Sequence, residues 1–465
     1  VLLEEYDLWF LDGSNEEQKI REVLETKLEK YIQPNINPRY NLAAGRSWDV
    51  FPTELDRCTV DKYALATDHG GQVFYSQAVE NQKELFVGEA ASALKKNIKQ
   101  MEEGHQKGEE YQNEEQKADE EYQRAQAAQM EEKKRQESEK ENAEKQEESD
   151  IKETEAVQAK VENPLDQIKK IKSMGILGLV LKDGTVVSDK TIERKNLPSE
   201  RNLQKGSLLV NEISADPVSE AIFLNYLQKH FQCAVDEGGK HQKGSKEHSL
   251  SYELEYIIGG QKSDRENLKK TVNRILLIRE GMNYATLAKS AKMRGEAMAL
   301  AAAITGAAAL PEFAGALQKL LMLAWAYGES LLDVRTLLAK GKVPMLKAET
   351  EWKLPLEKLG MLAEVLKECD AGGGNGQSYE DYLSGLLILG KKQQRNLRVL
   401  DLIECNRRME KGGETFRVDA LVAQAEASAD FELAPVFLRV PAVWMHVRNQ
   451  GTAYTIKGQY GYGQP

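Results

Sequence analysis

Hydrophobic residues recur every three or four positions through much of the chain, and this helical pattern is densest between residues 263 and 340. Leu268 and Val272 belong to one apolar stripe within that stretch, and a stripe with this spacing lies on the buried face of a helix. Ser263 and Glu266 precede it with the spacing of a capping box, in which each side chain bonds the other's free backbone N–H. The pattern predicts that residues 263–340 form the core of a helical domain.

Two further helices are predicted within the same stretch. The second is rich in alanine and runs from about Ala291 to about Ala307, and the third begins near Pro311, since proline fits the first turn of a helix. The longest run without a charged residue, 297–311, holds 15 residues, whereas a membrane-spanning helix needs about 20. The pattern favours a buried helical hairpin. A membrane-inserting hairpin over residues 291–340 is the alternative.

Alternating apolar and polar residues near both ends of the chain predict β-strands. One alternation covers about residues 55–67 and is followed by a turn at Asp68–Gly71. Two others cover 416–433 and 453–462. Since two strands alone are barely stable, we expect the C-terminal strands to share an antiparallel sheet with the strand near Tyr63. The predicted fold class is α+β, predominantly α: a helical domain inserted between strands of a small antiparallel sheet, plus a long charged helical arm.

The charged arm is the most biased part of the sequence. Residues 101–160 contain 20 acidic and 10 basic residues, and opposite charges four residues apart, such as Glu131 and Arg135, support a helix. The few apolar residues follow no sustained heptad, which argues against a strong coiled coil. Gly104 and Gly108 offer a break in the helix. The pattern favours a protruding helical arm, with a disordered insertion as the alternative.

Near the N-terminus, a short amphipathic helix is predicted to end at Pro34 and Pro38. Together with the other changes in pattern, it divides the chain into four parts. The four parts are an N-terminal docking segment with a helix and a strand (1–84), the charged helical arm or hairpin (85–162), the helical core domain (163–411) and C-terminal strands that pair with the N-terminal strand (412–465).

Charge, cysteine content and the first residue narrow the class of protein. The net charge of −11 argues against nucleic acid as a partner, because binding phosphates needs a basic face. The chain starts at Val1 with no methionine and no signal-like segment, which we interpret as a fragment whose natural N-terminus lies upstream. Four widely spaced cysteines are expected to be free, partly buried thiols, with one or two long-range disulfides as the alternative: Cys58, Cys233, Cys369 and Cys405.

Candidate metal and phosphate sites are few. The best metal candidate is a group of four possible ligands within a short stretch, but its spacing matches no zinc pattern: His230, Cys233, His241 and His248. The segment GKHQKGSK (239–246) lacks the Gly-Lys-Ser/Thr order and the preceding strand of a phosphate-binding loop. The sequence therefore predicts no metal site and no cofactor.

A candidate carboxylate pair lies in the third predicted helix. Glu329 and Asp333 are four residues apart and share a helical face. Acid–base catalysis would require both in a cleft with shifted pKa values, and the pattern instead favours capping, pairing with Arg335 or exposure to solvent. The chain also contains no GxSxG, HExxH or GxGxxG motif. We therefore predict no catalytic residue and no enzymatic activity.

Seven phrases of the sequence carry a resemblance to a known family. The phrases are YDLWFLDG (6–13), YALATDHGGQVFYSQAVE (63–80), NPLDQIKKIKSMGILGLVL (163–181), YELEYIIGGQKSDRENLKKTVNRILLIRE (252–280), LLMLAWAYGESLLDVRTLLAKGKVPMLK (320–347), SYEDYLSGLLIL (378–389) and LRVLDLIECN (397–406). They resemble an uncharacterised family of Gram-positive bacterial surface proteins whose genes often lie beside machinery of the Tad/Flp pilus and type II secretion kind. The resemblance spans most of the chain except the charged insertion and carries no catalytic residues.

The resemblance implies a setting for the protein. Members of that family look pilin-like at their N-terminus, with one hydrophobic helix before the equivalent of Val1, so the intact protein would be tethered to the membrane and face outward. The leading hypothesis is a non-enzymatic extracellular component, a minor-pilin-like or accessory subunit of a Tad-type or type II secretion-like apparatus, with pilus or secretion subunits as partners. The alternatives are a membrane-active or pore-forming protein that uses the hairpin at 291–340 and, less favoured, an enzyme of unrecognised type.

Overall fold

The computed structural model describes nine stretches of the chain: 2–36, 53–83, 88–143, 163–208, 216–235, 247–307, 313–369, 374–433 and 452–461. The described helices are α1 (Ile20–Ile36), α2 (Asp68–Lys83), α3 (Gly88–Ala143), α4 (Pro164–Ser173), α5 (Ile176–Val180), α6 (Pro217–His230), α7 (Glu253–Gly259), α8 (Asp264–Lys289), α9 (Ala291–Ala307), α10 (Ala314–Leu338), α11 (Leu362–Glu368), α12 (Tyr379–Leu389) and α13 (Lys392–Met409). The described strands are β1 (Leu2–Leu3), β2 (Leu8–Trp9), β3 (Leu11–Asp12), β4 (Thr53–Leu65), β5 (Leu421–Leu433) and β6 (Thr452–Gly461).

One antiparallel sheet joins the two ends of the chain. β5 lies at its centre and pairs with β4 along one edge, from Thr53 opposite Leu433 to Leu65 opposite Val422. On its other edge β5 pairs first with β3 and then with β6. The predicted fold class is confirmed: the protein is α+β and predominantly α, with the helical domain inserted between the strands of this sheet.

Helix α1 covers part of the sheet with a small hydrophobic core of its own. Ile20 and Leu24 pack against Val60 and Tyr63 of β4. The prediction that Pro34 ends this helix was wrong, because α1 continues to Ile36 with the proline inside it. A proline near a helix end costs little when the carbonyl one turn earlier is free to bond water.

The predicted turn at Asp68–Gly71 is present at the start of α2. His69, Gly70 and Gly71 all have positive φ, and the Asp68 carboxylate accepts a hydrogen bond from Leu65 N at 2.7 Å. This turn reverses the chain from β4 into the helical domain.

The centre of the helical domain is the pair α8 and α10, as the sequence predicts. Ser263 caps α8 by accepting a hydrogen bond from Glu266 N at 3.3 Å, and all but a few side chains of α10 are buried. The expected start of α10 at Pro311 lies outside the described residues. Among the described helices, none combines the length and apolarity needed to cross a membrane.

Helix α3 lies against this centre and does not only protrude. It packs on α8, α10, α12 and α6, and Met101, Tyr111 and Ala118 on its inner face are buried. The predicted break at Gly104 and Gly108 was wrong, because the helix is continuous through both residues.

The two glycines of α3 instead permit close contact between helices. A Cβ atom at Gly108 would lie 2.8 Å from the carbonyl oxygen of Leu277, and one at Gly281 of α8 would lie 2.3 Å from Gly108 N. Side chains at these positions would separate the two backbones, so the small residues determine how close α3 approaches α8.

Candidate functional site

A cleft of about 710 Å³ opens between α3, α6 and α12. One wall of the cleft is the segment Pro344–Leu346, and Met282 of α8 contributes to the apolar part of the lining. Clefts between helices of a bundle are common binding sites. Among the described residues, it is therefore the best candidate for a functional site.

Carboxamides are the commonest polar groups in the lining of the cleft, which also includes the charged side chains Lys96, Glu103 and Asp381. Five such side chains come from three separate segments of the chain: Asn97, Gln100, Asn225, Gln228 and Gln377. Carboxamides donate and accept hydrogen bonds without titrating, so this lining favours a ligand with peptide-like or other uncharged polar groups.

Hydrogen bonds orient several of these carboxamides. Gln377 donates to Gln100 Oε1 at 3.1 Å, and Gln228 donates to Ser384 Oγ at 2.8 Å. Asn97 is buried and donates to the carbonyl of Asp381 at 3.2 Å. Its Oδ1 is buried and accepts no hydrogen bond from a described residue.

A buried ion network lies behind the Pro344–Leu346 wall. Arg279 of α8 has no exposed surface, and its Nη1 donates to the carbonyls of Pro344 and Met345 at 2.9 Å each. Its Nη2 donates to Asp333 Oδ2 at 2.7 Å. The wall segment is also tied to Gln377 through paired backbone hydrogen bonds of Val343. The network therefore fixes one wall of the cleft.

Glu329 and Asp333 belong to this network, contrary to the expectation that they cap, pair with Arg335 or face solvent. Both are fully buried in α10, and Lys347 forms ion pairs with both carboxylates. Glu329 also accepts hydrogen bonds from the backbone N–H groups of Lys353 and Leu354. Arg335 instead donates to the carbonyls of Leu179 and Leu181.

The electrostatics of the network indicate a structural role. Burial alone would raise the pKa of Asp333, but the neighbouring cations Arg279 and Lys347 hold it below its ordinary value. Breaking a buried ion pair by removing one partner leaves a charge without compensation. Burial raises the pKa of Glu329, and the charge of Lys347 opposes that rise. The ion pairs of the network hold α8, α10 and the cleft wall together.

The histidines proposed as metal ligands dock the N-terminal segment. His248 lies between two carboxylates, with Nδ1 2.9 Å from Glu253 Oε1 and Nε2 3.0 Å from Glu5 Oε1. Burial alone would lower the pKa of His248, but hydrogen bonds to Glu253 and Glu5 raise it to about 10. His230 Nδ1 lies 2.6 Å from the carbonyl oxygen of Glu5.

The other two members of that candidate set are Cys233 and His241. Cys233 donates through Sγ to the carbonyl of Val235, and His241 and the segment 239–246 lie outside the described residues. Within the described stretches, no three potential ligands are grouped as a metal site would require. All four cysteines are free thiols in the structure, as predicted: Cys58, Cys233, Cys369 and Cys405.

Comparison with known proteins finds one family. The match is to a family of unknown function, DUF5702, and it covers residues 152–433, more than half of the chain. The chain belongs to this family. The DUF5702 match includes α4 to α13 and ends at Leu433, the last residue of β5. No curated protein and no solved structure matches the chain.

The cleft itself could not be found from the sequence. Its carboxamides lie within residues 97–100, 225–228 and 377, and no periodicity connects them. At the edge of the cleft, Gly376 has a φ of +124°, and a Cβ atom there would lie 2.4 Å from Pro344 N, so this position requires a residue without a side chain.

Proposed function

We propose that this DUF5702 protein is a non-enzymatic extracellular component of a Tad or type IV pilus-like or type II secretion-like apparatus. It would act as a minor-pilin-like or accessory subunit through protein–protein contacts. We further propose that it is held at the outer face of the cell membrane and that its partners are pilus or secretion subunits. The apparatus and the location derive from the resemblance, and the mode of action from the geometry.

The part of α3 that follows Tyr122 supports the proposed mode of action, which is contact with a partner protein. After Tyr122, which is half-buried, the described side chains are all exposed: Gln123, Arg124, Ala127 and Glu131. The helix continues to Ala143, a further 21 residues or about 32 Å at 1.5 Å per residue. A charged helix that extends beyond the packed part of the molecule suits contact with a partner.

Two other features support contact over catalysis. Carboxamides outnumber the other polar groups in the lining of the cleft, and one of its two carboxylates, Asp381, accepts hydrogen bonds from Ser378 N and Ser378 Oγ at the start of α12. Carboxamides suit recognition of a polypeptide backbone and do not transfer protons at neutral pH. The small sheet with α1 on its face is the part that would correspond to a pilin head.

Co-purification from native membranes tests the proposal. The intact protein is captured with its associated proteins, and the predicted result is recovery of pilus or secretion subunits encoded beside it. A variant with reversed charges on the arm, Arg124→Glu with Glu131→Lys, should recover less of them.

The matched control reverses two exposed charges on the body, Asp166→Lys with Lys269→Glu, and should leave recovery unchanged. Absence of every pilus and secretion subunit from the wild-type sample would remove the proposed apparatus. Equal recovery with both variants would remove the arm as the contact.

A further inference from the structure

Cations from three elements meet at the C-terminal end of α7, away from the cleft. Arg398 of α13 donates through Nη1 to the carbonyls of Ile257 at 2.9 Å and Ile258 at 3.0 Å. Arg274 of α8 donates through Nη1 to the same Ile258 oxygen at 3.4 Å. Two guanidinium groups therefore share one carbonyl oxygen.

A lysine and a third arginine complete the cluster. Lys270, one helical turn before Arg274, donates to the carbonyl of Gly259 at 2.9 Å. The positive charge of Arg194 lowers the pKa of both Lys270 and Arg398. These four residues, Lys270, Arg274, Arg398 and Arg194, are called the basic cluster below.

Gly260 makes room for the cluster. It has a φ of +61°, and a Cβ atom there would lie 2.4 Å from the guanidinium of Arg398. The left-handed backbone at the end of α7 therefore brings Arg398 against the main chain.

The carboxylates near the basic cluster do not neutralise all of its positive charge. Among the described residues, Lys270, Arg274 and Arg398 form no ion pair with a carboxylate. Arg194 pairs with Glu200, but its Nε is buried without a hydrogen-bond partner. The nearby carboxylate of Asp401 is engaged by Ser199 N at 2.8 Å and Tyr256 Oη at 2.7 Å.

The pKa values agree with this excess of positive charge. Burial, followed by the charges of Arg274, Arg398 and Arg194, lowers the pKa of Lys270. Burial also lowers the pKa of Arg398, and Arg194 and Arg274 lower it further, while Tyr256 and Asp401 act in the opposite direction. Capping alone does not account for so many cations, because the end of a helix carries only about half a negative charge.

We propose that the basic cluster binds a doubly charged tetrahedral oxyanion, phosphate or sulfate, either free or as a group on a larger molecule. The anion would lie against Arg274, Lys270 and Arg398 and would relieve their mutual repulsion. Guanidinium groups donate two parallel hydrogen bonds to such oxygens, and charge-assisted bonds of this kind are about twice as strong as neutral ones.

Calorimetric titration with inorganic phosphate, against chloride at equal ionic strength, tests the site. The wild-type protein should bind one phosphate, and Arg274→Gln should weaken binding by roughly tenfold, the effect expected for one charge-assisted contact. Lys269→Gln removes the same charge from an exposed neighbour on the same helix and should bind as the wild type does. A parallel titration with glycerol phosphate shows whether the site also accepts the group on a larger molecule.

Thermal unfolding without phosphate separates binding from capping. If the cluster is an anion site, Arg274→Gln should unfold at the same temperature as the wild type or higher, because the substitution removes repulsion. Phosphate should then stabilise the wild type more than the variant. No phosphate binding to the wild type at millimolar concentration, or equal binding by wild type and Arg274→Gln, would overturn the proposal.

Discussion

The two halves of α3 have similar polar sequences and different surroundings. Up to Tyr122 the helix packs across α8 and α10, and beyond it the described side chains are exposed. In the packed half, Met101, Tyr111 and Ala118 share one face, and the hydroxyl of Tyr111 donates to the carbonyl of Leu323 at 3.0 Å. A few small or apolar residues at helical spacing therefore decide which part of a helix is buried, even where most residues of the helix are polar.

The largest expected effect comes from breaking the buried ion pair between Arg279 of α8 and Asp333 of α10. Asp333→Ala leaves Arg279 buried without its carboxylate partner, so we expect the free energy of unfolding to fall by about 3–5 kcal/mol. Urea denaturation measures it. Glu131→Ala on the exposed half of α3 should change the free energy by less than about 0.5 kcal/mol. Similar losses for the two variants would contradict the distinction between packed and exposed charges.

A smaller effect is expected where α3 meets α8. Gly281→Ala places a methyl group 2.3 Å from the backbone of Gly108 and Lys107, and we expect a loss of about 1–3 kcal/mol from the forced separation of the helices. Gly295→Ala in α9 is the matched control, since a Cβ atom there meets nothing within 4 Å. It should stabilise by about 0.5–1 kcal/mol through helix propensity. Destabilisation by both substitutions would mean that close approach is not the cause.

A pH dependence is expected at the N-terminal segment. The pKa of His248 is about 10 in the folded protein and 6.5 ordinarily. A raised histidine pKa gives stability that is complete below pH 6.5 and is lost as the pH rises toward 10. The difference in unfolding temperature between wild type and His248→Gln should therefore shrink across that window. A difference that stays constant from pH 6 to 10 would show that His248 does not carry a charge between Glu5 and Glu253.

Patterns among neighbouring residues predicted the strands and the helix start, because these features depend on residues that are close together in the sequence. The alternation near Tyr63 and in 416–433 predicted the sheet, because a strand that is half-buried reveals its faces in its sequence. Ser263 predicted a helix start, and its side chain accepts the expected backbone hydrogen bond from Glu266 N. These features need only neighbours in the chain.

Features that depend on distant residues could not be predicted. Glu329 and Asp333 gave no sign that Lys347 and Arg279 neutralise them, since that pairing exists only after α8, α10 and the 344–347 segment are packed. Gly104 and Gly108 suggested a break, because the sequence does not show which helix approaches them. The carboxamide cleft is assembled from segments almost 300 residues apart for the same reason.

Hydrogen exchange along α3 tests most directly the claim that this helix is packed up to Tyr122 and exposed beyond it. In the isolated protein, amides of residues 99–120 should exchange slowly, since their opening requires separation from α8 and α10. Amides of residues 123–143 should exchange much faster, because a helix of that length without tertiary packing is marginally stable. Equal protection of the two segments would contradict the claim.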